Sequence, residues 1–149
     1  MEALERLAAI EEISSLKARY FLAVDMQDWD LMRREVFIEE TSFQFSEFRE
    51  EPFYGQETVL NMFADALVGK VTVHHGHMPV IELSSDTTAK GLWAMEDRIY
   101  QDGPGALLES RPVLHGFGHY HETYVKRPEG WRIETIRLTR LRLETRTIA

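Results

Sequence analysis

The residues of this chain suited to acid–base chemistry fall in four places. The first is a histidine cluster, His74, His75 and His77, in the segment VTVHHGHMPV. Histidine titrates near neutrality and is the commonest general acid–base side chain. In an extended chain Val71, Val73, His75 and His77 alternate with Thr72, His74 and Gly76, so only one of the first two histidines faces inward, and period alone does not say which. The bland alternative is a core histidine satisfied by a backbone carbonyl. A metal site is a further option, because His115, His119 and His121 share another strand and His119 and His121 share a face. No compact helical motif of the metalloprotease kind accompanies them.

The second place is Asp97. Ala89, Gly91, Trp93, Met95, Asp97 and Ile99 share one face of the segment 87–101, which is apolar apart from Asp97. A carboxylate there must be paired, hydrogen-bonded or protonated, unless it sits at a solvated strand end. The third place is Tyr20 with Asp25, at the end of the first helical segment. Tyrosine can donate to a substrate oxygen, and aspartate can orient an imidazole through its ring N–H; core packing and turn capping are the structural alternatives. The fourth is the arginine-rich last segment, with Arg132, Arg137, Arg140, Arg142 and Arg146. Most of these are surface charges by pattern, but Arg140 shares a phase with Ile136 and Leu138 and can pair with a buried carboxylate.

The elements that must position these groups are legible from periodicity. Leu4, Leu7, Ile10, Ile13, Leu16, Tyr20 and Ala23 predict a helix over 2–24 with one apolar stripe, and Glu5, Glu11, Glu12, Lys17 and Arg19 read as its solvated face. Asp28 is placed to cap a short helix through Trp29, Leu31, Met32 and Val36. A strand is predicted over 41–48, a turn over 52–55, and a helix over 56–67 that Gly69 can end. Four long strands follow at 71–83, 87–101, 113–127 and 131–143. They are separated by Ser84-Ser85-Asp86, Asp102-Gly103-Pro104-Gly105 and Pro128-Glu129-Gly130. Short turns between long strands predict an antiparallel meander, with the helices packed on one face of a curved sheet.

Composition narrows the class. At 149 residues the chain is expected to be one domain, 1–149, with a real core. Its net charge of −8 argues against a nucleic-acid partner and against an anionic membrane. Cysteine is absent, which excludes disulfides, a thiolate nucleophile and cysteine-based metal sites. The N-terminus lacks a basic region followed by an apolar run, and no apolar stretch is long enough to span a bilayer, so a cytoplasmic protein is expected.

Taken together, the residues resemble the SnoaL-like family of the nuclear-transport-factor-like superfamily, cone-shaped α+β domains whose helices and curved, mainly antiparallel sheet enclose one pocket. The resemblance rests on Ala18-Arg19-Tyr20-Phe21 with Asp25 and Trp29-Asp30, on Val73-His74 and Gly76-His77-Met78-Pro79, and on Thr88-Ala89-Lys90-Gly91 with Trp93 and Glu96-Asp97-Arg98. It continues through Gly118-His119-Tyr120, Tyr124-Val125 and Gly130-Trp131-Arg132-Ile133. Within the family the chain is most similar to the bile-acid 7α-dehydratase branch, with scytalone dehydratase and the lindane dehydrochlorinase more distant. That branch uses a tyrosine, an aspartate, a histidine, a second aspartate and an arginine. The resemblance implies Tyr20, Asp25, His74, Asp97 and Arg140 in those roles, and so selects His74 over His75. It further implies a pocket lined by Tyr54, Phe63, Trp93, Met95 and Phe117, and a homodimer or homotrimer.

The activity implied is a cofactor-independent lyase, a dehydratase acting on a hydrophobic ring ketone such as a steroid or polyketide. No metal or cofactor is expected, because proton abstraction beside a carbonyl requires only a placed base and an oxyanion donor. An isomerase or cyclase would use the same residues, and a non-catalytic carrier of apolar ligands would use the pocket alone.

Overall fold

The computed structural model describes residues 2–101 and 112–147. The Asp102-Gly103-Pro104-Gly105 turn lies outside the described residues. Helix α1 (Ala3–Met26) buries Ala9, Ile13, Leu16, Tyr20 and Ala23. Burying side chains of the Ile or Leu type contributes roughly 1.5–3 kcal/mol each. The stripe fails at its start, where Leu4 and Leu7 are 78% and 64% exposed, because the core begins only at Ala9. The expected solvated face also fails at one position. Lys17 is fully buried, since it lies four residues after Ile13 and three before Tyr20, which is stripe spacing.

The helix runs two residues further than its pattern predicts and includes Asp25. Gln27 ends it in the left-handed region at φ 53°. The Gln27 side-chain amide then donates to the carbonyls of Leu67 and Lys70 at 2.9 and 3.0 Å, fixing this end of α1 against the end of the third helix. Asp28 caps the short helix α2 (Trp29–Leu31) by accepting from the Leu31 amide. Beyond it, Met32–Val36 forms a π-helical turn rather than more α-helix. Strand β1 (Phe37–Phe45) therefore starts and ends earlier than expected, and Phe48 falls outside it.

Strand β2 (Phe53–Tyr54) precedes helix α3 (Gln56–Leu67), which buries Val59, Leu60, Phe63 and Leu67. The segment 71–83 is two strands, β3 (Val71–Gly76) and β4 (Val80–Leu83). The break spans His77-Met78-Pro79, where Pro79 has no amide to donate to a ladder. Both pieces pair with successive parts of β5 (Thr88–Tyr100). Strands β6 (Leu114–Arg127) and β7 (Gly130–Thr145) complete the meander. Among the described residues the sheet has seven strands in the order β2-β1-β7-β6-β5-β3, with β4 also on β5. All pairings are antiparallel except β1 with β7, so the sheet is mixed. Register shifts at Phe117/Gly118 and Thr123/Tyr124 bend the long central hairpin, and the helices pack against the inner face. Among the described residues no helix is long and apolar enough to cross a membrane.

Candidate active site

The inner face of the sheet, α1 and α3 surround a cavity of about 330 Å³. Phe43, Phe45, Met62, Phe63 and Leu138 give it apolar walls, and its polar groups are Tyr20, His74, Asp97, Tyr120 and Arg140, with Arg49 at the loop after β1.

Strand parity decides which histidine enters. Thr72 and His74 share the inner face of β3, and His75 points outward and is exposed. Asp25, in the last turn of α1, meets that face. Its Oδ1 accepts from Thr72 Oγ1 at 2.9 Å and lies 2.6 Å from His74 Nδ1, and its Oδ2 accepts from the His74 backbone N–H at 3.0 Å. Three donors thus hold the carboxylate. Because Asp25 offers only acceptors, Nδ1 carries the ring proton and Nε2 is left as the basic nitrogen.

In the β3–β5 register His74 stands directly opposite Asp97, so both side chains leave the same face. Asp97 is paired: Arg140 Nη1 and Nη2 donate to its two oxygens at 2.5 and 2.9 Å. Arg140 Nε also donates to Glu47 at 3.0 Å. Burial works against the Arg140 charge, but the bonds and charge of Asp97, with Glu47 adding, outweigh it and raise the guanidinium further above its ordinary range. Space for this fork comes from Gly116, which pairs with Asp97 across β5 and β6. A Cβ there would overlap the Arg140 guanidinium and stand 2.6 Å from Asp97 Oδ1.

Tyr20 and Tyr120 meet edge to face, with centroids 5.9 Å apart. Burial pushes the Tyr20 hydroxyl well above the phenol range, Glu122 adds to the shift, and a hydrogen bond with Tyr120 opposes it. Burial likewise raises Tyr120, with Tyr20 and Asp97 adding. Both are protonated donors at any physiological pH.

All five expected polar residues therefore meet around the cavity, Asp25 from behind His74. The apolar expectations fare less well. Phe63 lines the wall. Phe117 does not, because the inward residues of β6 are Gly116, Gly118, Tyr120, Glu122 and Tyr124, and Phe117 instead stacks on His115 outside. Tyr54 is 68% exposed, being out of phase with Phe53, which lines the cavity. Trp93 and Met95 point inward as the strand phase predicts but are packed in the core beside the cavity. The Trp93 indole donates to the Tyr124 hydroxyl, and Met95 Sδ lies against Arg140. His121 faces outward and bonds Thr139. Among the described residues no three His, Asp or Glu side chains converge as a metal-ligand set.

Sequence reasoning missed Tyr120 and the buried pair Lys17–Glu122. Parity on β6 was the available signal for Tyr120 and Glu122, and helical spacing for Lys17.

This architecture recurs in solved structures. A provisionally named scytalone dehydratase from Novosphingobium aromaticivorans superposes with a TM-score of 0.81 at 16% identity, over 99% of this chain and 94% of that one. A hexachlorocyclohexane dehydrochlorinase, LinA type 2, gives 0.79 at 16% identity over 98% and 94%. A nuclear transport factor 2-like superfamily protein from Salmonella enterica serovar Typhimurium gives 0.74 at 18% over 91% and 92%. At these identities the likeness is one of fold. The family model of the SnoaL-like domain matches residues 5–137, and the chain belongs to the SnoaL-like family.

Proposed function

We propose that the protein is a cofactor-independent lyase that dehydrates a hydrophobic ring ketone, of steroid or polyketide type, carrying a hydroxyl to be eliminated. The observation that carries this is the His74–Asp25 pair, whose Nδ1 contact directs the other ring nitrogen to an apolar cavity that also holds the Tyr20 phenol. His74 Nε2 takes the proton beside the carbonyl. The C–H electrons pass to the carbonyl oxygen, which Tyr20 stabilises as an oxyanion. As the enolate collapses, the C–O bond of the hydroxyl breaks, and the imidazolium returns its proton to the departing oxygen as water. Asp25 favours the imidazolium in between. The Asp97–Arg140 pair fixes polar substituents on the far wall.

An isomerase shares the first step and differs only in keeping the hydroxyl. Incubation with a panel of hydroxy-ketones, followed by product mass, separates them: dehydration removes one water and isomerisation removes nothing. His74→Ala and Asp25→Asn are expected to abolish or cripple turnover while the fold persists. Unchanged turnover in both variants would falsify the assignment.

A further inference from the structure

We infer that Lys17 is a positioning residue whose buried charge makes Tyr20 and Tyr120 a paired oxyanion donor; this rests on reading the cavity as the place where a substrate oxygen meets Tyr20. Lys17 Nζ lies 3.8 Å from the ring centroids of both Tyr20 and Tyr120, and 4.8 Å from that of Phe21. It is bonded to Glu122, and neither side chain has any exposure. The second Glu122 oxygen accepts from the Tyr124 hydroxyl, which itself accepts from the Trp93 indole at 2.8 Å.

Neither Lys17 nor Glu122 reaches the cavity wall, and both phenols do. The ammonium therefore touches nothing in the cavity directly, and the two rings stand between it and a ligand. A cation on a ring face draws on its electron density, and the O–H on that ring becomes a stronger donor. Burial pulls Lys17 down to about 8, with Glu122 opposing the drop, so the ammonium is charged at neutral pH. Glu122 acts on the phenols in the opposite sense and helps to keep them protonated, but it bonds Lys17 and Tyr124 and neither ring of the pair. Lys17 is the charge seated on both ring faces, and it is through that contact that it strengthens the two donors.

Stability alone does not account for this arrangement. Replacing a buried ion pair by well-packed neutral side chains is often neutral or stabilising. Here the pair also requires a cleared space, because a Cβ on Gly91 would stand 2.6 Å from the Tyr124 hydroxyl.

The test uses 4-nitro-1-naphthol, an apolar phenol that ionises below neutral pH, where Lys17 still carries its charge, and whose ionised fraction is read by absorbance. The full chain is compared with Lys17→Met/Glu122→Gln, which removes both charges at nearly constant volume, after circular dichroism and urea unfolding establish the fold. The variant should hold about tenfold less naphtholate at a given pH, a shift of one pKa unit in the bound probe. In a Tyr20→Phe/Tyr120→Phe background the same two changes should move the probe far less, because the two O–H donors are gone. A structural role predicts equal losses in both backgrounds. Equal losses, an unshifted bound pKa, or no naphthol binding to the native chain would each overturn the inference. If the Met/Gln pair does not fold, Lys17→Gln/Glu122→Gln is read the same way, and failure of both to fold assigns the pair to folding and rejects the proposal. Failure of dehydration on every hydroxy-ketone leaves this measurement intact, so the two outcomes are separable.

Discussion

Two buried ion pairs lie against the inner face of one sheet, and they differ in what they face. Arg140–Asp97 is bidentate, carries a second carboxylate in Glu47, and forms part of a cavity wall. Lys17–Glu122 is monodentate, sealed from solvent, and surrounded by aromatic rings. The first pair can meet a ligand directly. The second lies behind Tyr20 and Tyr120, whose rings stand between it and the cavity. Burial by itself thus does not mark a residue as structural or functional; what the charge can reach decides that.

The sharpest way to break the contrast is to remove one partner of the sealed pair. Lys17→Met alone leaves Glu122 buried without its cation and is expected to destabilise the fold by about 3–5 kcal/mol, with most of the loss recovered in Lys17→Met/Glu122→Gln. Urea unfolding of the three proteins checks this. Equal loss in the single and double variants would show that packing, not the stranded charge, is responsible. On the cavity side the large effect is kinetic. His74→Ala should lower kcat on a turned-over hydroxy-ketone by roughly 10²–10⁴-fold with little change in urea midpoint.

Gly116→Ala tests the fork between Asp97 and Arg140. The added methyl must displace the guanidinium or the carboxylate, which should cost roughly 1–3 kcal/mol of stability and weaken ligand binding. Full retention of both would mean that Arg140 has another place to go.

The sealed pair also predicts a pH signature. Lys17 titrates at about 8 in the folded chain against an ordinary 10.5, so between those values the unfolded chain binds more protons and this group's contribution to stability rises with pH. Tyr20, Tyr120 and Tyr124 are all raised above the ordinary 10.0 by burial, so above that pH the unfolded chain loses protons first and stability falls. The urea midpoint should therefore climb from about pH 8 and turn down above about 10. Lys17→Met/Glu122→Gln should show only the fall. A steady decline of the native protein from pH 7 upward contradicts the assignment. The smallest effect expected is at Leu7, exposed in front of the core, where Leu7→Ala should change stability by less than about 0.5 kcal/mol.

Much of this was legible in the linear chain. Period two placed Asp97 on an apolar face, and period 3.6 placed Tyr20 in the core. The helix–strand order alone gives the α+β class. The losses have identifiable causes. Phe117 and Tyr54, implied as pocket lining by the resemblance, each lie one residue out of phase with an inward position, Gly116 and Phe53. The charge of Lys17 predicts the solvated face, although its spacing puts it on the stripe. The break in 71–83 was signalled by Pro79, whose ring removes a ladder donor.

What the sequence determined by itself is the local half of the protein: element types, strand parity, and the few polar residues forced onto apolar faces. Those follow from backbone geometry, which repeats every two or 3.6 residues and needs no partner. What only the tertiary structure decided is pairing. Asp25 finds His74 49 positions away, Arg140 finds Asp97 43 away, and Lys17 finds Glu122 105 away. Such partners are chosen by sheet register and by where α1 crosses the inner face. Within the residues themselves, His74 and His75 are chemically identical, and it is the register against β5 and the end of α1 that gives one of them a carboxylate and the other solvent.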